Sequence, residues 1–177
     1  MERTMLPRSI GELNEIREEC YSLVTKRAGL SAGAAAVPIP GADIGADVAL
    51  LLEMIPTINR RFGLSEEQLN EIDSDVRRFI LVTVTSIGSE MIGKLITKEA
   101  IVFLLKKAGV RVATKSVAKF IPLLGTAVAA GVSYGLMRNV GRSHVDDCYN
   151  VARRAILFAE QKAAEKAAEN AASEQAG

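Results

Sequence analysis

Residues 32–54 read Ala32-Gly-Ala-Ala-Ala-Val-Pro38-Ile-Pro40-Gly41-Ala-Asp43-Ile-Gly-Ala-Asp47-Val-Ala-Leu-Leu-Leu-Glu53-Met54. Two prolines withdraw two backbone donors and bias the residues before them towards extended conformations, and Gly41 tolerates a turn. The small residues before the turn suit a closely packed helix. A second helix is expected to restart at Ala42 or Asp43 and run to about Phe62. Its early acids and its final Arg60 and Arg61 both suit the helix dipole. Pro38, Pro40, Gly41, Asp43 and Asp47 are therefore read as structural residues of a turn and a helix start, and Pro56 is expected to kink or split the helix.

Working outward, Ser9-Ile-Gly-Glu12 fits a capping box. Behind it Ile10, Leu13, Ile16, Cys20, Leu23 and Val24 recur at helical spacing, which predicts a helix over 10–28 and a separate short one after Gly29. Downstream, Gly63 reads as a C-cap and Ser65-x-x-Gln68 as a second capping box. One long helix is expected from Glu66 to about Leu95. Its β-branched middle, Phe79 to Ile87, has no partner strand elsewhere and so reads as buried helix. Further helices are expected over 97–107, over 110–119, over 123–140 ending near Gly141, and from a cap at Ser143 onward, with His144 as a cap or surface residue. The predicted fold is all-α, a compact bundle of about six to eight helices with a buried Gly/Ala-rich central helix. One domain spans 1–158, and the Ala/Glu/Lys-rich tail 159–177 is expected to project and fray.

Composition narrows the function. The chain has 177 residues, 49% hydrophobic and 24% charged, which excludes disorder as a description of the whole. One histidine, two cysteines and no tryptophan disfavour most zinc sites and His-based catalysis. No catalytic residue, metal site or cofactor is expected, and no enzyme. Cys20 and Cys148 read as helix-packing residues in a reducing, cytoplasmic compartment. The first residues lack the apolar segment of a signal peptide.

Net charge is +1, but it is a cancellation. Residues 1–99 carry 11 basic and 15 acidic side chains, and residues 146–177 carry four and six. Residues 100–145 carry seven basic side chains and no acid. Within them Lys107, Arg111, Lys115 and Lys119 recur every fourth residue, a basic stripe suited to anionic lipid headgroups or an acidic protein. Nucleic acid is not expected, since no aromatic residues interleave with the charges. Gly109-Val-Arg-Val-Ala-Thr114-Lys115-Ser116 approaches a phosphate-binding loop. It has Thr114 where the second glycine must let the backbone wrap the phosphate, so it reads as a basic helix. Asp43 and Asp47 share a helix face but make a poor cation site. Asp47 is expected to pair with an arginine or with backbone N–H groups. Phe120 to Met137 is uncharged and near the lower limit for a membrane span, and Gly131-x-x-x-Gly135 suits close helix approach.

Residues 28–65, with Pro38-Ile-Pro40-Gly41, Asp47 and Phe62-Gly63-Leu64, resemble the C-terminal helical domain of the immunity-related (interferon-inducible) GTPases, and a related bacterial domain-of-unknown-function family. Residues 119–142, with Ile121-Pro-Leu-Leu-Gly-Thr126, are similar to a second signature of that bacterial family. The resemblance covers most of residues 28–158 and implies a helical domain without the GTPase, serving membrane association and contacts to partner subunits. The expected function is a cytoplasmic, non-enzymatic module, peripheral at the inner face of a membrane or bound to an acidic protein, with a homo-oligomer left open. The alternatives are an integral membrane protein with small-residue helical hairpins and a regulatory or oligomerisation subunit of a separate GTPase or toxin system.

Overall fold

The computed structural model describes residues 6–36, 42–89, 91–113 and 122–175, and the regular structure among them is entirely helical. In chain order the helices are α1 (Ile10–Ala35), α2 (Ala42–Arg61), α3 (Glu66–Glu71), α4 (Ser74–Ser86), α5 (Lys98–Ala113) and α6 (Pro122–Gln175). Five of them have thirteen residues or more, and α3 is under two turns.

Local chemistry sets most of the ends. Ser9 Oγ accepts from the Glu12 N–H (3.2 Å), and the Glu12 carboxylate accepts from the Arg8 N–H (2.7 Å). Ser65 and Gln68 form a full capping box at α3. Helix α2 ends in a Schellman motif: the Leu64 N–H donates to Asn59 O (2.9 Å) and the Gly63 N–H to Arg60 O (3.2 Å), with Gly63 at φ 72°. A Cβ disfavours that left-handed conformation, which is why glycine stands there. The same pair of bonds closes α4, from Ser89 to Val84 and from Gly88 to Thr85.

Several boundaries differ from expectation. Helix α1 does not stop at Gly29, because the alanines around Gly29 and Gly33 sustain the helix and no proline intervenes before Val37. Pro56 sits inside α2 without splitting it. The stretch from Glu66 to Leu95 is not one helix: the Asp73 carboxylate accepts from the N–H groups of Asp75 (3.0 Å) and Val76 (3.2 Å) and starts α4 anew. Helix α4 ends at Ser86, and residues 91–97 before α5 have no helix. Helix α5 continues through Gly109 to Ala113, joining two expected elements. Gly141 and Ser143–Asp146 lie within α6, so the expected break and cap there do not exist.

The core is built around α1 and α6. Leu13, Ile16, Cys20, Val24 and Ala28 form the buried stripe of α1, and Val145, Cys148, Val151, Ala152 and Ala155 that of α6. Helix α2 closes the third side with Leu51, Met54, Ile55 and Ile58, and Phe62 just after it joins them, all fully buried. The three helices meet at Gly141: a Cβ there would lie 2.7 Å from Val24 Cγ1 and 3.0 Å from Met54 Cε. Outside the core, Arg17 staples α1 to α6, donating to Asp146 (2.5 Å) and lying over the rings of Tyr21 and Tyr149. The central Gly/Ala-rich segment is not buried all round. Among its described residues Ser133, Met137 and Val140 are covered, whereas Gly131, Val132 and Gly135 are exposed. A Cβ at Gly131 or Gly135 would meet nothing within 4 Å, so neither glycine serves a close helix crossing among the described residues. Among the described residues no helix is long and apolar enough to cross a membrane.

Candidate functional site

The predicted basic stripe lies mostly beyond what the structure describes. Lys107 and Arg111 belong to α5, but their side chains, and Lys115 and Lys119 altogether, lie outside the described residues. Pro38, Pro40 and Gly41 also lie outside them, and Asp43 is placed only as a backbone position in the first turn of α2.

The structure does describe the surface just ahead of that stripe. Helix α5 packs on α2 and α6 with Ile101 fully buried and Leu104 and Leu105, one turn on, partly covered. Such an inward face leaves Phe103 pointing out, 58% exposed. Leu95, in the loop that enters α5, is 77% exposed. Lys94, Lys98 and Lys106 are exposed and flank these two residues in sequence, with Glu99 the acid between them. An exposed aromatic residue and an exposed leucine in a lysine-rich segment supply both charge and apolar reach.

That loop is held from beneath. Asn59 Nδ2 donates to Met91 O (2.6 Å), and Asn59 Oδ1 lies 2.9 Å from His144 Nε2. Because a carbonyl only accepts, the Asn59 amide nitrogen must face Met91. Its oxygen must then face His144, so Nε2 carries the proton. The Gly93 N–H donates to Leu64 O (3.1 Å) and fixes the loop a second time. His144 is thus a buried helix-interior residue and not a cap or surface group. Burial lowers its pKa to about 4. Cys148, one helical turn from His144, donates to Asn59 Oδ1 (3.5 Å), a spacing passed over in the sequence because both were assigned to different roles. Both thiols are free and buried, and burial pushes Cys20 up to about 12 and Cys148 well above its ordinary value. Neither is poised as a nucleophile at neutral pH.

Asp47 is the other buried polar centre. Its carboxylate accepts from Ser31 Oγ and Ser133 Oγ (3.0 and 3.1 Å), and the two hydroxyls lie 2.7 Å apart, tying α1, α2 and α6 together. The hydroxyls of these two serines are its described side-chain partners. In sequence Ser133 only adds polarity to an apolar run and Ser31 sits in a small-residue stretch, so neither points to Asp47. Among the described residues no group of three or more His, Cys, Asp or Glu is arranged to hold a metal ion.

The chain is similar to interferon-inducible GTPase 5 of Bos taurus, 28% identical over 129 residues. That match takes in 72% of this chain but only 28% of the relative's length. No protein-family model matches the chain, and no solved structure is significantly similar to it.

Proposed function

We propose that the chain is a non-enzymatic helical module that associates peripherally with anionic membrane surfaces through α5 and the loop before it. The observation that carries this reading is the exposure of Leu95 and Phe103 among Lys94, Lys98 and Lys106. Each lysine near an anionic leaflet contributes about 1 kcal/mol, and an apolar side chain entering the interface adds to that by area. The basic residues that follow on α5, Lys107 and Arg111, lengthen the same positive element. The weak likeness to an interferon-inducible GTPase agrees with the resemblance noted from the sequence, and it concerns a fraction of that protein. Nucleotide hydrolysis is not part of the proposal.

Co-sedimentation with vesicles containing phosphatidylserine is expected to retain the chain, and pure phosphatidylcholine to retain much less. Leu95→Glu with Phe103→Glu is expected to weaken vesicle binding by about tenfold or more. Reversal of Lys94, Lys98 and Lys106 is expected to remove the preference for anionic lipid. Binding that survives both sets of changes, or that ignores lipid charge, would sink the proposal. All five side chains are exposed, so the folded state should persist.

A further inference from the structure

The segment that carries Leu95 is tied to the interior at three points. Ile92 is buried, the Gly93 N–H donates to Leu64 O (3.1 Å), and Met91 O accepts from Asn59 Nδ2 (2.6 Å). The third tie is one end of a hydrogen-bonded chain. Buried Asn59 holds Met91 through its nitrogen and takes the Nε2 proton of His144 on its oxygen (2.9 Å). Only one orientation of the amide serves both neighbours, so α6, α2 and the segment are held in register there.

The ring is the weak member of this chain. His144 is the one histidine of the sequence and is buried. Its Nε2 already donates to Asn59, so a second proton enters at Nδ1 and makes a buried cation. No carboxylate is hydrogen-bonded to the ring to receive that charge: its described polar contacts are Asn59 and Cys148 Sγ (3.5 Å). Cys20, which acts on Cys148 from α1, is the other titratable group close by. The charged groups on the elements packed around it are held elsewhere or exposed. Arg17 of α1 binds Asp146, Glu19 of α1 binds Arg61 at the end of α2, and Arg60 is exposed. Asp147 of α6 acts on Cys148, while burial is the cause of the lowered pKa of the ring. Lys94 of the segment and Lys98 and Glu99 of α5 are exposed. A charged ring therefore gains only by reaching water, which parts it from Asn59. The Asn59 amide is then free to turn, and Met91 O loses its donor.

We infer that the chain His144–Asn59–Met91 is an acid-sensitive latch: protonation of His144 releases residues 91–97 and adds Met91 and Ile92 to the apolar surface that Leu95 offers to a membrane. The consequence for membranes rests on the function proposed for α5 and this segment; the latch itself does not.

The full chain without lipid tests the latch. The single histidine gives one imidazole signal in NMR, expected to titrate near 4. Between pH 7 and 5 the hydrogen-exchange protection of the Gly93 amide is expected to fall about twentyfold, and to stay below that of Val24 in the core at both pH values. His144→Gln keeps an N–H for Asn59 and does not titrate, so it should abolish the fall. If that variant does not fold, the imidazole titration and the Gly93 and Val24 amides of the parent still decide. On vesicles of phosphatidylglycerol and phosphatidylcholine, the gain in binding from pH 7 to 5 should be about fivefold or more greater for the parent than for His144→Gln. A ring that titrates near 6.5, a Gly93 amide whose protection ignores pH, or one that exchanges only together with Val24 would overturn the latch. A latch that opens with equal vesicle gains in the two chains would overturn its control of the membrane surface. A parent chain that binds anionic vesicles at neither pH would overturn the proposed function and leave the exchange result standing.

Discussion

Gly141→Leu is expected to lower the unfolding free energy by at least about 3 kcal/mol. The position lies where α1, α2 and α6 converge, and even a Cβ would come within 2.8 Å of both methyl groups of Val24. Val24 is fully buried and β-branched, so it has little rotamer freedom with which to move aside. Met54 is more pliable, but its methyl group is also close, at 3.0 Å. Gly141→Ala is a finer probe, because the gain in helix propensity of about 1 kcal/mol opposes the clash. Shortening the neighbour with Val24→Ala should make Gly141→Ala less costly than it is in the parent chain, a coupling that a double-mutant cycle in urea measures. A Gly141→Leu chain as stable as the parent would show that the three helices do not meet as described.

Acidification is expected to destabilise the fold by about 3 kcal/mol through His144 alone. Its pKa falls from 6.5 to about 4 because burial disfavours the charged ring. Between those values the unfolded chain binds the proton and the folded chain does not, so stability is lost as pH falls from 6.5 to 4. His144→Gln retains an N–H for Asn59 Oδ1 and does not titrate. Urea unfolding at pH 7, 5.5 and 4.5 should therefore show a flatter pH dependence for that variant than for the parent. Asp147 works in the opposite direction, since burial and the nearby Asp146 raise its pKa, and the difference between the two chains removes its contribution. Identical slopes in the two chains would mean that His144 is not buried against Asn59.

Helical class, the cap at Ser9, the capping box at Ser65 and the Schellman glycine at Gly63 were legible because each depends on a few adjacent residues. The errors share a cause as well. Gly29 and Gly141 carry the local signature of helix ends, yet each lies inside a helix, and at Gly141 the absent side chain makes room for Val24. Whether a glycine turns the chain or admits a neighbour depends on partners far away in sequence. Asp73 was the reverse case: a usable N-cap was overlooked because apolar periodicity continued on both sides of it. His144 could not be placed from its flanks, since its partner Asn59 comes from another helix and the cap expected at Ser143 does not form. The exposure of Phe103 and Leu95 was equally hidden, because an apolar residue in a helical pattern gives no sign of which face the body covers.

The pairing of α1 with α6 also sets an order of events during synthesis. Arg17 meets Asp146 across 129 residues of chain, and Tyr149 donates to Asn14 across 135. Helical segments form locally and fast, but the face of α1 that holds Leu13 and Cys20 is fully covered only once the distant half of α6 has left the ribosome. Until then α1 carries a partly uncovered apolar stripe, the kind of surface that holding chaperones bind.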